Sequence, residues 1–290
     1  MYASKGGSVG RIQFFEIHDQ EWFPPFLRDQ MTEGLQAVFD FANLYAPVAH
    51  RLRRALDESG TTKVVDLCSG AGGPWQKLRE ACEEEFSGIQ ISLTDKYPNL
   101  KAIAKVHGGA QNGTRSKIEF LSESVDVRRV PSALAGFRTM FTSFHHFAPE
   151  EARAILRDAV ENRQGIGIFE VPKRSWRTML AVFLVPFTYL GAVPFLRPFR
   201  WSRLFWAYLL PVIPFTLWFD GIVSCLRAYT PSELMELTQG LSDDGYRWEA
   251  GEKDGSGVMP TTVTYLIGIP AARASQRANE SVQESSVRVS

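Results

Sequence analysis

One segment constrains this chain more than any other: Lys63-Val64-Val65-Asp66-Leu67-Cys68-Ser69-Gly70-Ala71-Gly72-Gly73-Pro74-Trp75. A short β-branched run passes straight into three glycines within four residues, and helical character resumes from Pro74 to Phe86. A turn this tight needs backbone that tolerates φ > 0 and lets a ligand approach the main chain. The helix behind it presents N–H groups with no partner inside the helix. The rest of the chain continues the alternation. Strands are expected over 88–94, 117–122, 139–144 and 165–170, with helices over 99–107 and 149–162. Pro149, Glu150 and Glu151 open the second of these helices with a proline and two acids in the first turn. Thr230-Pro231-Ser232-Glu233 reads as a capped helix start, and 246–250 and 261–269 read as closing strands. Strands and helices alternating at this spacing build a parallel sheet covered on both faces.

Before the first strand, Met31, Leu35, Val38, Phe39, Ala42 and Leu44 recur at helical spacing. Pro47 marks a break or the first turn of the next helix, which carries Leu52 and Leu56 to a Ser59-Gly60 stop. The expected layout is a helical cap over 1–58, a main domain over 59–270, and a polar, disordered tail over 271–290.

Charge and cysteine content narrow the classes of function. There are 32 basic and 32 acidic residues, which leaves no electrostatic footprint for nucleic acid. Three cysteines, Cys68, Cys82 and Cys225, do not make a disulfide framework. No CxxC pair or Cys/His cluster has metal-ligand spacing, so no metal is expected. Met1 to Gly10 is polar and glycine-rich, unlike a secretory signal, and a cytosol-facing location follows as an expectation.

An acidic residue followed by a glycine-rich turn, Asp66-x-x-x-Gly70-x-Gly72-Gly73, resembles motif I of class I S-adenosylmethionine-dependent methyltransferases. Cys68 stands where the first glycine of that motif usually falls. The resemblance covers residues 60–170 and 222–270. It implies a doubly wound, mostly parallel seven-stranded α/β sheet and S-adenosyl-L-methionine (SAM) as cofactor. Asp66, Cys68, Gly70 and Gly72 would then lie under the methionine part. Asp95, beside Lys96 at the end of the second strand, would accept hydrogen bonds from the ribose hydroxyls. Asp126 would hold the adenine amino group, and Val127 would contribute backbone contact. Read from the residues alone, Asp66 could equally hold the turn, and Asp95 could be a helix cap. A nicotinamide-dependent oxidoreductase on a similar sheet is the alternative enzyme, but Trp75 stands where the last glycine of GxGxxG belongs. A catalytically silent, membrane-associated cofactor-binding domain is the alternative of another class.

Candidate bases sit at two strand ends. His145 and His146 follow the fourth strand, and Glu170 ends the fifth. The two histidines could instead pack or cap the helix from Pro149. Methyl transfer asks little of side chains beyond positioning.

The insert over 176–220 stands apart in composition. Residues 178–196 and 204–219 carry no charge, and Trp176, Trp201, Trp206 and Trp218 fall within it. Arg197, Arg200 and Arg203 separate the two apolar runs. Two membrane spans are one reading. Pro186, Pro194, Pro211 and Pro214, and a second run of roughly 24 Å against a ~30 Å hydrocarbon core, favour a hairpin in the membrane interface or over the acceptor pocket. A buried helical subdomain is the bland alternative. The expected partners are a small, apolar or lipid-like acceptor and a membrane surface.

Overall fold

A computed structural model describes residues 10–81, 86, 88–98, 118–196, 199–241, 245–255 and 261–271. The helix expected over 99–107, the side chains of Val38, Phe39 and Ala42, Arg197 and the tail from 272 lie outside the described residues. Seven strands form one sheet: β1 (Lys63–Leu67), β2 (Gln90–Asp95), β3 (Ile118–Ser124), β4 (Phe137–Phe141), β5 (Ile166–Glu170), β6 (Tyr246–Asp254) and β7 (Thr262–Pro270). Their order is β3-β2-β1-β4-β5-β7-β6. β1 to β5 run parallel, and β7 runs antiparallel to both β5 and β6. The order reverses between β1 and β4, and in open α/β sheets the crevice outside the strand ends at such a point binds ligand.

Both sheet faces are covered. On one, Leu52 and Leu56 of α2 (Ala46–Ser59) pack with Val64, Ile91 and Phe137. On the other, Ile155 and Leu156 of α4 (Pro149–Glu161) pack with Val65, Leu67, Met140 and Ile168. Neighbouring Val64 and Val65 serve opposite faces, as the pleat of a strand requires. Trp75 opens α3 (Trp75–Ala81) fully buried, edge-on to Phe86 and Phe141. A glycine there would let helix and strand approach more closely. This chain fills the space with an indole.

β4 ends at Phe141, three residues short of expectation. Thr142 takes φ 43° and Phe144–His146 form a 3-10 turn. The cause is chemical: the N–H groups of Ser143 and Phe144 donate to Glu170 Oε1 instead of to a strand neighbour.

The first two helices do not make one cap. α1 (Pro25–Ala42) ends at Asn43 in the left-handed conformation, and Pro47 falls in the first turn of α2. α2 belongs to the sheet. α1 belongs to the insert, which consists of α5 (Trp176–Ala192), a 3-10 turn Val193–Phe195, α6 (Trp201–Leu204) running into a π-turn Phe205–Leu209, and α7 (Val212–Arg227). Phe23, Leu27 and Met31 share a third core with Tyr189, Val193, Ala207, Ile213 and Leu217. α7 lies close on α5 because Gly221 has no side chain: a Cβ there would sit 2.6 Å from Val182 Cγ1. The helix α8 (Pro231–Leu237) opens with the reciprocal Thr230/Glu233 capping box, which satisfies two N–H groups at once.

The insert is not a buried subdomain. Trp176, Phe195 and Trp201 are 71–79% exposed, and Leu180, Phe183, Leu184 and Phe187 are exposed along α5. Trp176–Phe195 is long and apolar enough to cross a membrane by length and composition. α7 is tied to the domain instead. Buried Asp220 accepts the N–H groups of Ile17 and His18, and buried Arg227 donates to the carbonyls of His145 and His146. Those contacts anchor the end of a second apolar stretch, Trp201–Leu209 with Val212–Arg227, which passes the same length and composition test only as a pair bent by 68°. Arg200 and Arg203 turn inward to Glu33 of α1, so they do not form a basic outer margin.

Candidate cofactor and acceptor site

The turn after β1 has four left-handed residues within six: Cys68 (φ 57°), Gly70 (55°), Gly72 (133°) and Gly73 (61°). Three are glycines, which take this conformation without steric cost. Cys68 takes it with its Cβ, at a cost of roughly 1–2 kcal/mol.

Asp66 builds the turn from below. It is 1% exposed, and its carboxylate accepts from the Ser69 hydroxyl (2.7 Å) and the Thr139 hydroxyl (2.6 Å). Burial pushes its pKa up to about 6, against the pull of those two hydroxyls. A Cβ at Gly73 would lie 2.9 Å from Asp66 Oδ2. Both carboxylate oxygens therefore face the protein, and the structure does not place Asp66 in contact range of a ligand above the turn.

Asp95 is placed differently. Its Oδ2 accepts from the Gly70 N–H (2.9 Å) and its Oδ1 from the Tyr97 N–H (2.8 Å). Burial raises its pKa, opposed by these backbone donors. Each oxygen keeps a second acceptor direction. One hydrogen bond thus joins the β2 carboxylate to the glycine turn after β1, beside the switch point. A Cβ at Gly72 would meet nothing within 4 Å, so the main chain there borders open space. Thr32 of α1 reaches over Gly70, with its Cγ2 3.4 Å from where a Cβ would be.

A cleft of about 170 Å³ opens beside this turn, lined by Cys68, Lys96, Asp126, Val127 and His146 together with Val125, Arg128, Phe147 and Glu151. Five of the residues singled out in the sequence meet here. Asp126 is less available than expected. Its Oδ1 accepts from the Arg128 N–H and Nε, and its Oδ2 from Nη2, so Arg128 holds its pKa down to about 2. One acceptor direction remains for a base amino group.

The three candidate bases separate by depth. Glu170 is fully buried. Its Oε1 takes two backbone N–H groups, and its Oε2 takes His145 Nδ1 at 2.5 Å. Burial alone would raise its pKa, but the charge and hydrogen bond of His145 hold it below the usual value. His145 is 1% exposed. Neither reaches the cleft, so neither is placed as a base for an acceptor. His146 does line the cleft. Its Nδ1 meets Asp19 Oδ2 at 2.7 Å, with Glu16 Oε2 at 3.6 Å. Burial would lower its pKa, but Glu16 and Asp19 raise it to about 9. At neutral pH His146 is an imidazolium, which is a proton donor and not a ready base.

Glu16, His18, Asp19, Asp220 and Arg227 complete this charged cluster, which has no signature in the sequence. Glu16 and His146 lie 130 positions apart, and no local spacing encodes their meeting. Arg11 fastens the strap that carries Glu16, the segment 10–20 ahead of α1, donating to the carbonyls of Arg227 and Phe147.

No protein-family model matches the chain, and no curated protein matches it in sequence. Similar solved structures include the mitomycin 7-O-methyltransferase, at 16% identity and TM-score 0.44, covering 82% of this chain and 59% of that one. Magnesium protoporphyrin IX methyltransferase from Synechocystis PCC 6803, with bound SAM, has 11% identity and TM-score 0.39 over 87% and 88%. Human N-acetylserotonin methyltransferase has 15% identity and TM-score 0.44 over 88% and 62%. The chain spans about three fifths of the length of the first and third. What decides the architecture is the sheet: seven strands, a switch point between β1 and β4, and a single reversed strand, β7, inserted between β5 and β6. This is the doubly wound, mostly parallel seven-stranded sheet that the resemblance of the glycine turn to class I methyltransferases implies. The glycine turn, Asp95 and the cleft stand together at the C-terminal edge of the parallel strands. The insert leaves the sheet from the same edge, after β5.

Proposed function

We propose that this chain is a SAM-dependent methyltransferase acting on a small, apolar or lipid-like acceptor presented at a membrane surface. The observation that carries this is the bond from the Gly70 N–H to Asp95, which sets a ribose-type acceptor against a glycine turn at the switch point. The donor set fits the cofactor. Asp95 would hold the ribose hydroxyls, the open main chain at Gly72 would admit the methionine part, and Val127 would wall the base. When bound, the cofactor supplies an electrophilic methyl on a sulfonium. The chain's own task is then to orient the acceptor and exclude water. Thr32 of α1 over the turn and the strap over His146 serve that task.

The acceptor reading rests on the insert. Its exposed aromatic face includes a shallow apolar hollow of about 560 Å³ lined by Trp201, Leu204, Phe205, Tyr208 and Leu209. An exposed apolar patch of this kind on a helical hairpin suits the interfacial region of a bilayer. The chain would thus work from a cytosol-facing membrane surface without spanning it.

Calorimetry with S-adenosylhomocysteine and with NADH tests the cofactor. Binding of the first alone is expected, whereas binding of NADH alone or of neither ends the proposal. Transfer of labelled methyl into a membrane lipid extract tests the acceptor class. Co-sedimentation with liposomes tests docking: Trp176→Ser with Trp201→Ser should lose most of it.

A further inference from the structure

We infer that the strap and the 3-10 turn together form a site for one divalent transition-metal ion, with Glu16, His145 and His146 as ligands. The ion would be of the imidazole- and carboxylate-binding class, such as zinc, cobalt or manganese. Ligand atoms of these three residues lie within 4.8 Å of one another. His145 Nε2 stands 3.7 Å from Glu16 Oε1, and His146 Nδ1 stands 3.6 Å from Glu16 Oε2. Two atoms bound to one tetrahedral ion at about 2.1 Å stand roughly 3.4 Å apart, so small shifts would close the site.

The independent sign of a ligand is two orphaned atoms. Glu16 and His145 are each 1% exposed, and Glu16 Oε2 and His145 Nε2 make no hydrogen bond. Buried polar groups without partners are destabilising, and both of these belong to the same cluster of ligand atoms. The orientation of His145 adds to this. Its Nδ1 is held by Glu170 Oε2, leaving Nε2 as the coordinating atom, and a carboxylate behind the imidazole is the usual support of a metal-bound histidine.

The charges also leave room for a cation. Glu16, Asp19, Glu170 and Asp220 bring four carboxylates to the cluster, against which stand Arg227, paired with Glu16 and Asp19, and the imidazoles of His18, His145 and His146. A divalent ion would replace the proton that His146 shares with its acidic neighbours. Asp19 Oδ2, 2.7 Å from His146 Nδ1, would move out to about 3.4 Å to become a fourth ligand or remain a support. The ion would fasten the strap to the turn beside the cleft that His146 lines.

The full-length chain, dialysed against chelator, should take up one Co²⁺ per chain with visible d–d absorption, and Zn²⁺ should displace it. Zn²⁺ should also raise the thermal unfolding midpoint. Glu16→Gln and His146→Gln should each weaken Co²⁺ binding at least tenfold, whereas His50→Gln, on the exposed side of α2, should leave it unchanged. Circular dichroism establishes that each variant is folded. No saturable Co²⁺ binding to the wild-type chain would overturn the site, as would binding that both ligand variants retain. Neither readout involves SAM or methyl transfer, so the site stands or falls apart from the proposed activity.

Discussion

Replacing Glu170 with alanine removes the acceptor for three donors inside a fully buried pocket: the N–H groups of Ser143 and Phe144 at 2.9 and 2.8 Å and His145 Nδ1 at 2.5 Å. Leaving a buried donor without a partner costs about 1–3 kcal/mol. Three such losses, with partial relaxation and some water entry, put Glu170→Ala at roughly 4–6 kcal/mol, much of the stability of an ordinary domain. Glu170→Gln keeps an oxygen for the two backbone N–H groups and changes only the side facing His145. A tautomer change of the imidazole can answer that, so about 1–2 kcal/mol is expected. Urea denaturation followed by far-ultraviolet circular dichroism measures both. The reasoning requires a wide gap between alanine and glutamine. Equal losses below about 1 kcal/mol would show that Glu170 does not support the turn. Turnover abolished in Glu170→Gln at unchanged stability would restore it as a base.

Other substitutions probe the turn and the insert. Cys68→Gly removes a Cβ from a left-handed residue (φ 57°) and should stabilise the chain by about 1 kcal/mol in the same urea assay, with cofactor affinity retained. The raised pKa of Asp66, about 6 against 3.8, means that the folded chain binds its proton more tightly. Stability from this group is therefore present below about pH 4 and lost as pH rises through about 6, a decline of order 1–2 kcal/mol between pH 5 and 7.5. Asp66→Asn should flatten that part of the profile, and an unchanged slope would contradict the assignment. Gly221→Ala drives a Cβ to 2.6 Å from Val182 and should cost about 1–3 kcal/mol by parting α7 from α5, read as a lower urea midpoint.

The sequence by itself determined the parts of this protein that rest on neighbours in the chain. The β-branched run into Gly70, Gly72 and Gly73 could only be a strand entering a tight turn, since few other residues accept φ > 0 there. Thr230 and Glu233 announced the start of α8, because a capping box is written within four residues. Tertiary structure alone decided what needed distant partners. Asp66 reads the same in sequence whether it touches a ligand or supports the turn, and only Thr139, arriving on β4, assigned it to support. His145 and His146 are adjacent in sequence, yet Glu170 draws one into the core while Asp19 holds the other at the cleft. The cluster around Glu16 had no local trace, because its members come from the strap, the β4 turn and α7. Short-range patterns encode local geometry, but the protonation, burial and pairing of an ionisable group depend on whatever the fold places against it.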